Sequence, residues 1–376
     1  MVDFGVNNPR IRLNWEKSDR VFPIDHSKYR PQSFSLIDSE LSESQLGQLL
    51  TNIGIFRDSV VFMSALGKAR GVGAHTGGYD IIPEALIARA LIKGNPEVFH
   101  KHSYDTAGHR AADKYVGAAA DGHISWGDLW GYRMPGMGLP GHPEKRTTPG
   151  IESSDGRLGH RWAFANGISL ANLKKSIFIH DSDGSQQEGL NYEAARFAVE
   201  HGLKQILLID DNKATISGRP KDYFSKWNLA KVHEAWGLKV FQCNPEDERV
   251  DASPMQYHVV ARAGVQRLYK VMRDAINASM DGPVSVILDR PMVPGIPGVE
   301  GTPQGHDAIA LDPALNYLKL RGHNEAAEIL NSVSPLKRTA VSFQGSGDKW
   351  GSKRSKFGET LADILEMSAE VRENTK

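Results

Sequence analysis

The chain has 376 residues with 45 Lys plus Arg against 45 Asp plus Glu, so no excess of charge recommends nucleic acid or an anionic membrane as a partner. A single cysteine, Cys243, excludes an intrachain disulfide framework and agrees with a reducing, cytoplasmic setting. The length allows one large or two moderate domains; no run of about 18 apolar residues predicts a membrane span, and the first residues lack the apolar core of a secretory signal.

Residues 1–42 are rich in Pro, Arg, Asp and Ser and show no sustained period. They predict an extended arm; a disordered tail is the alternative, and Trp15, Phe22, Tyr29 and Phe34 favour docking. A body follows over 43–331. Ser42 with Gln45 forms a capping-box signal for a helix over 43–67, and a second helix begins near Pro83. The glycines at 71, 73 and 77 have the spacing of a dinucleotide loop, but a helix precedes them rather than a strand, which argues against that use.

The densest chemistry lies in residues 176–218. The apolar run Ile177–Ile179 predicts a buried strand, and the polar loop Asp181–Gly189 follows it. Leu190, Ala194, Phe197 and Ala198 then share one face of a predicted helix that Gly202 stops. A second buried run, Ile206–Ile209, opens into the loop Asp210–Gly218. This is a βαβ unit with a polar loop after each strand, at the edge where open parallel sheets bind ligands. Asp183 and Asn212 offer hard oxygen atoms suited to Mg²⁺ or Ca²⁺. Gly184 lets the backbone approach an anion, and the helix predicted after it favours one. Asp-Gly and Asp-Asn are also ordinary turn dipeptides; it is their pairing across one βαβ unit that points to a metal-bound pyrophosphate.

D-G-x-x-x-E-G followed by D-N-K resembles the thiamine-diphosphate signature of the transketolase family. The resemblance implies an α/β thiamine-diphosphate-binding fold, a doubly wound parallel sheet with helices on both faces. It implies that Asp183, Asn212 and the carbonyl of Ala214 hold the metal, that the Gly184 N–H meets the diphosphate, and that Ile216 lies against the cofactor. The family signature begins with Gly where this chain has Ser182. The stretch Ala74-His75-Thr76-Gly77-Gly78 resembles a family segment that carries Pro at the Thr76 position. His109 and His142 resemble two further family histidines; a second Gly-His pair, at His123, competes with His109, whose spacing to His142 fits better. Thr148–His160 resembles the stretch that faces the aminopyrimidine, which implies that role for Gly156 and Leu158 and places the cations Arg157 and His160 beside it.

After residue 218 the sequence predicts helices, a strand at LKVFQC, a long amphipathic helix over 254–280 and a buried strand over 283–288. The Gly/Pro-rich loop that follows is long enough to be functional. Its His306 resembles the family histidine that reaches diphosphate and substrate. Residues 311–330 predict one more helix, 332–356 a linker, and 357–376 a helix resembling the start of a pyrimidine-binding domain.

The resemblance spans roughly 43–310 and implies two-carbon ketol transfer from a ketose to an aldose, with His75, His109, His142 and His306 facing the substrate channel. It covers only one half of a transketolase. The expectation is therefore one subunit of a split enzyme, assembled as α2β2 with a chain carrying the C-terminal half. Glu188 is implied at a subunit interface; a local role in a first helical turn is the alternative. Other readings are the first component of a 2-oxo acid dehydrogenase complex, and a non-catalytic cofactor-binding subunit.

Overall fold

A computed structural model describes residues 15–73, 75–216, 218–246 and 257–336. The chain divides into two units, Met1–Leu336 and Lys337–Lys376. The linker beyond 336 and the helix expected over 357–376 lie outside the described residues.

Five parallel strands form one sheet in the order β1-β2-β3-β5-β4: β1 Tyr104–Asp105, β2 Ile177–Ser182, β3 Gln205–Asp211, β4 Lys239–Cys243 and β5 Val284–Asp289. Both faces are covered. This explains why β2, β3 and β5 read as continuous apolar runs rather than alternating ones. Phe178, Ile206, Leu208, Val284 and Val286 pack into the larger core, against helices α1 (Glu43–Ala69), α2 (Ile82–Gly94), α3 (Ala112–Ala120), α7 (Tyr257–Ala278), α8 (Leu311–Leu320) and α9 (Asn324–Ser332). Ile177, Ile179, Leu207, Ile209 and Ile287 face the other way. They meet α4 (His160–Ala171), α5 (Leu190–Glu200) and α6 (Leu229–Ala235). The doubly wound α/β reading is the fold observed.

Helix α1 is the axis of the larger core. Ser42 caps it with the reciprocal Gln45 contact expected, and its apolar residues point in every direction. It is long and apolar enough to cross a membrane by length and composition, yet 94% of that apolar window is buried inside the protein. A helix apolar all round is a core helix when protein surrounds it. Its polar residues are paired: Arg57 bonds Glu246 at 2.9 Å, and Asp58 accepts from Tyr317, Arg321 and His323. Residues 15–41 run over this side of the body, with Phe22, Ile24 and Phe34 buried.

Two expectations are corrected. The face of α5 is rotated: Asn191, Ala194, Ala195 and Ala198 are buried, while Leu190 and Phe197 are 37% and 39% exposed. Small side chains let this helix sit close to the sheet and α4, so the larger ones are left outside. Residues 311–330 hold two helices, not one, because Gly322 takes φ +84° between them. The helix begins at Leu190, after the Asp181–Gly189 loop, as expected; within that loop a short 3₁₀ turn, Ser185–Gln187, stands between Gly184 and α5.

Candidate functional site

Strands β2 and β3 are hydrogen-bonded neighbours in parallel register, Ser182 opposite Asp210. Asp183 and Asn212 therefore leave the same edge of the sheet side by side. The Asp183 N–H donates to the Asp210 carbonyl at 3.1 Å, which ties the two loops together as they diverge.

Asp183 is 5% exposed. Its Oδ1 accepts the Gly184 N–H at 2.7 Å, while Oδ2 is buried without a hydrogen-bond partner. Burial, reinforced by the carboxylates of Asp211 and Asp210, pushes its pKa well above the usual range. A buried carboxylate without a compensating charge is costly, and a divalent cation at Oδ2 would remove that cost. Asn212 sits in an Asx-type turn. Its Oδ1 accepts the Ala214 N–H at 3.1 Å, and its NH₂ donates to Asp80 at 3.1 Å and Asp210 at 3.2 Å. Those donations fix the amide and turn its oxygen into the loop. Lys213 takes φ +61° to make the turn. Carboxylate, amide oxygen and the Ala214 carbonyl would make an all-oxygen donor set of the kind that suits Mg²⁺ or Ca²⁺.

Ser182 is accommodated. It ends β2, and its hydroxyl accepts the Ser185 N–H at 3.1 Å, closing the 3₁₀ turn. Gly184 has φ −66°, so no left-handed conformation demands glycine there; a Cβ would point toward Thr215 at 3.6 Å, between the two loops. Ile216, on the far side of the second loop, is 54% exposed.

Beneath this edge lies a buried ladder of charge that sequence reading missed. Arg290, at the end of β5, donates to Asp210 at 2.9 Å and to both oxygens of Glu84. Arg110 donates to the Asp181 carbonyl at 2.8 Å and to Asp210 at 3.3 Å. Asp80 accepts the Val293 N–H and the Asn212 amide; burial, then Asp210, pushes it up to about 8. The only signal was local: Asp210 precedes the Asn212 turn and Arg290 directly follows the strand Val284–Asp289, while their pairing came from β3 and β5 being neighbours.

The four histidines come from four separate segments, and three converge tightly. The His109 and His306 rings are 4.6 Å apart between centroids; His75 is 6.0 Å from His109, 6.3 Å from His306 and 6.4 Å from His142. His123 is on the surface, in a different groove with Arg89 and Lys101. His109 Nδ1 lies 3.1 Å from the Ala107 carbonyl, which can only accept, so Nδ1 carries the hydrogen and Nε2 is left as an acceptor. Burial lowers the pKa of all four, His75 to about 4. They are neutral imidazoles at neutral pH.

Thr76 stands where the family segment has Pro, and it joins two loops. Its buried hydroxyl faces the Gly305 and Asp307 carbonyls and donates to one at a time. An antiparallel bridge pairs His75 with Asp307. The His75 segment is thereby locked to the His306 segment.

Gly108 takes φ +73° and approaches Gly156 so closely that a Cβ would lie 2.6 Å from the Gly156 nitrogen. Gly156 in turn faces the His142 ring. A cleft of about 510 Å³ opens there, lined by His142, Glu144, Gly156, Arg157, His160 and Arg161. Arg157 and His160 are exposed, whereas Arg161 bonds Asp155 at 3.0 Å. Leu158 is half-buried beside Gly159, and Glu188 is exposed with its Cβ against that glycine.

Sheet order, strand-end loops and covered faces define a parallel α/β domain of the thiamine-diphosphate-binding fold. Residues 104–263 match the family described as "Transketolase, thiamine diphosphate binding domain". It is 37% identical over 147 residues to one of the subunits of an apulose-4-phosphate transketolase from Actinobacillus succinogenes, covering 38% of this chain and 53% of that protein. It is 26% identical over 290 residues to a transketolase from Staphylococcus aureus, covering 69% of this chain and 40% of the relative. The transketolase structure from Leishmania mexicana superposes with a TM-score of 0.55 at 19% identity, over 84% of this chain and 47% of that one. That from Campylobacter jejuni gives 0.55 at 20%, over 76% and 47%. The chain spans about half the length of the relatives it matches.

Proposed function

We propose that this chain is the diphosphate-binding subunit of a two-chain transketolase, moving a two-carbon ketol unit from a ketose to an aldose. The observation that carries the reading is the buried, unpartnered Oδ2 of Asp183 beside Asn212, where the two halves of the signature meet on adjacent strands. Asp183, Asn212 and the Ala214 carbonyl hold Mg²⁺ or Ca²⁺. Gly184 faces the diphosphate, Ile216 lies along the cofactor, and Gly156 with Leu158 faces its aminopyrimidine. In this structure the Gly184 N–H is engaged by Asp183, so it must turn from that carboxylate to reach a phosphate oxygen. When bound, thiamine diphosphate supplies a carbon nucleophile and an electron sink for breaking the ketose C–C bond.

The chain's own contribution is proton handling and position. His75, His109, His142 and His306 meet the sugar hydroxyls and, being neutral, accept protons from them. Burial makes each a poor holder of that proton, so it is returned readily. The buried Arg290–Asp210–Asn212 linkage keeps the metal-binding amide aimed without reorganisation.

The partner supplies the pyrimidine side. Support comes from the relative whose name makes it one subunit of a transketolase. Leu190 and Phe197, seven residues apart on one side of α5 and both exposed, lie close to Glu188 and suit a subunit interface in an α2β2 assembly. A cytoplasmic enzyme acting on small sugars fits these features. The test is to purify the chain and add thiamine diphosphate, Mg²⁺, a ketose donor and an aldehyde acceptor, with and without a chain carrying the C-terminal half. Transfer is expected only with both chains; full turnover by this chain alone, or none with the partner, overturns the reading.

A further inference from the structure

His75, His306 and Asp307 each offer one ligand atom, and the three atoms lie within 4.8 Å of one another. Both imidazoles have a buried Nδ1 with no hydrogen-bond partner. His75 Nδ1 is 3.8 Å from Asp307 Oδ1, too far for a hydrogen bond. Two ligands on one tetrahedral zinc ion, each about 2.0–2.2 Å from it, stand roughly 3.3 Å apart. The observed gap therefore needs only a small inward movement, and the exposed Asp307 side chain is free to make it.

We propose that His75, His306 and Asp307 form a second metal site, selective for a borderline divalent ion such as Zn²⁺, whose occupation closes the sugar channel. Imidazole nitrogen with one carboxylate favours Zn²⁺ over Mg²⁺, while the all-oxygen set at Asp183 and Asn212 has the opposite preference. Preorganisation comes from the backbone. The His75–Asp307 bridge and the Thr76 hydroxyl hold the ligand-bearing segments together before any ion arrives. Burial keeps both rings neutral, the form that binds metal. Arg133 beside His75 and Arg110 beside His306 are cations that oppose the incoming charge; Asp307 and Asp210 act on His306 in the other sense. Three protein ligands leave one position for water or a sugar hydroxyl. The site would thus make the enzyme sensitive to transition metals, reversibly and in competition with substrate. Binding stands on the geometry alone; inhibition rests on the ketol-transfer reading.

The experiment titrates Zn²⁺ into the full chain by calorimetry, with Co²⁺ as a spectroscopic probe, in the absence of thiamine diphosphate. One ion is expected per chain, with ligand-field absorption of imidazole-bound Co²⁺. His75→Gln and His306→Gln should each weaken Zn²⁺ at least about 100-fold, more than loss of a supporting residue costs, and Asp307→Ser about tenfold or more. Asp183→Ala should leave Zn²⁺ affinity unchanged, which separates this site from the cofactor's. Circular dichroism melts of each variant establish that it is folded, and Asp307→Ser, an exposed change, guards against misfolding of the histidine variants. In the two-chain enzyme, Asp307→Ser should keep basal transfer while raising the Zn²⁺ needed for half-inhibition about tenfold. Absence of Zn²⁺ binding below about 100 µM, or binding untouched by the histidine and Asp307 substitutions, overturns the site. Binding that follows these residues but leaves transfer unaffected overturns the inhibitory role. An enzyme with no transfer activity at all instead refutes the functional reading and leaves the metal site standing.

Discussion

Asp183→Asn should stabilise the free chain and abolish its metal-dependent response to the cofactor. In the free protein the Asp183 carboxyl is buried beside Asp210 and Asp211, and only Oδ1 is hydrogen-bonded, to the Gly184 N–H. Asparagine keeps an oxygen for that bond and removes the charge. Relieving a buried, unsatisfied group is worth about 1–3 kcal/mol. At roughly 1–2 °C per kcal/mol for a unit of this size, extrapolating the trend with chain length, Tm should rise by about 1–6 °C. A ligand present at about 100 times its Kd contributes about 2.7 kcal/mol of stabilisation. Wild type should show that increment with thiamine diphosphate and Mg²⁺, in the free chain or with its partner, and the variant should not. The assay is thermal unfolding followed by circular dichroism, with and without both ligands. A purely structural Asp183 would give the reverse signs. If the variant melts lower than wild type without ligands, or still gains the full increment with them, Asp183 is not held in strain for a cation.

Further outcomes test the histidines and the loops. His109→Ala should lower turnover of the two-chain enzyme by about 10²–10⁴, while His123→Ala, outside the imidazole cluster, should leave it near wild type; the opposite order in steady-state assays would move the role to His123. Thr76→Val removes the hydroxyl that joins the His75 and His306 segments, and leaves buried carbonyls with one donor fewer. It should cost about 1–3 kcal/mol in urea unfolding, with turnover falling because the two rings lose their fixed separation. His233 is buried against Trp162, and burial lowers its pKa from 6.5 to about 4. A base whose folded pKa is depressed contributes its stability fully above the unfolded value of about 6.5 and loses it as pH falls toward 4. The loss is about 1.4 kcal/mol per pH unit, or about 3 kcal/mol over that window. His233→Gln should flatten the acid limb of the stability–pH curve by that slope relative to wild type, measured by urea melts between pH 7.5 and 4.5.

The sequence by itself determined the local pieces. Ile177–Ile179 and Ile206–Ile209 are apolar without alternation, which is the mark of strands buried on both faces, and the polar loops after them carry the proposed metal ligands at fixed offsets. The Ser42–Gln45 cap likewise needs only four consecutive residues to be read. What it could not determine is which surface a neighbour covers. Leu190 and Phe197 have the right period for an inward face, yet the closeness of α5 to the sheet and α4 admits only Asn191 and the alanines there. Gly322 likewise split a continuous helical pattern by taking a left-handed backbone. Tertiary structure alone made β2 and β3 neighbours, gathered His75, His109 and His306 from distant segments, and set Arg290 against Asp210 and Glu84. The physical reason is that hydrophobic periodicity and turn chemistry act over a few residues. A buried ion pair or an imidazole cluster is decided by which loops the folded sheet brings to one edge, and by the cost of leaving a buried charge there without a partner.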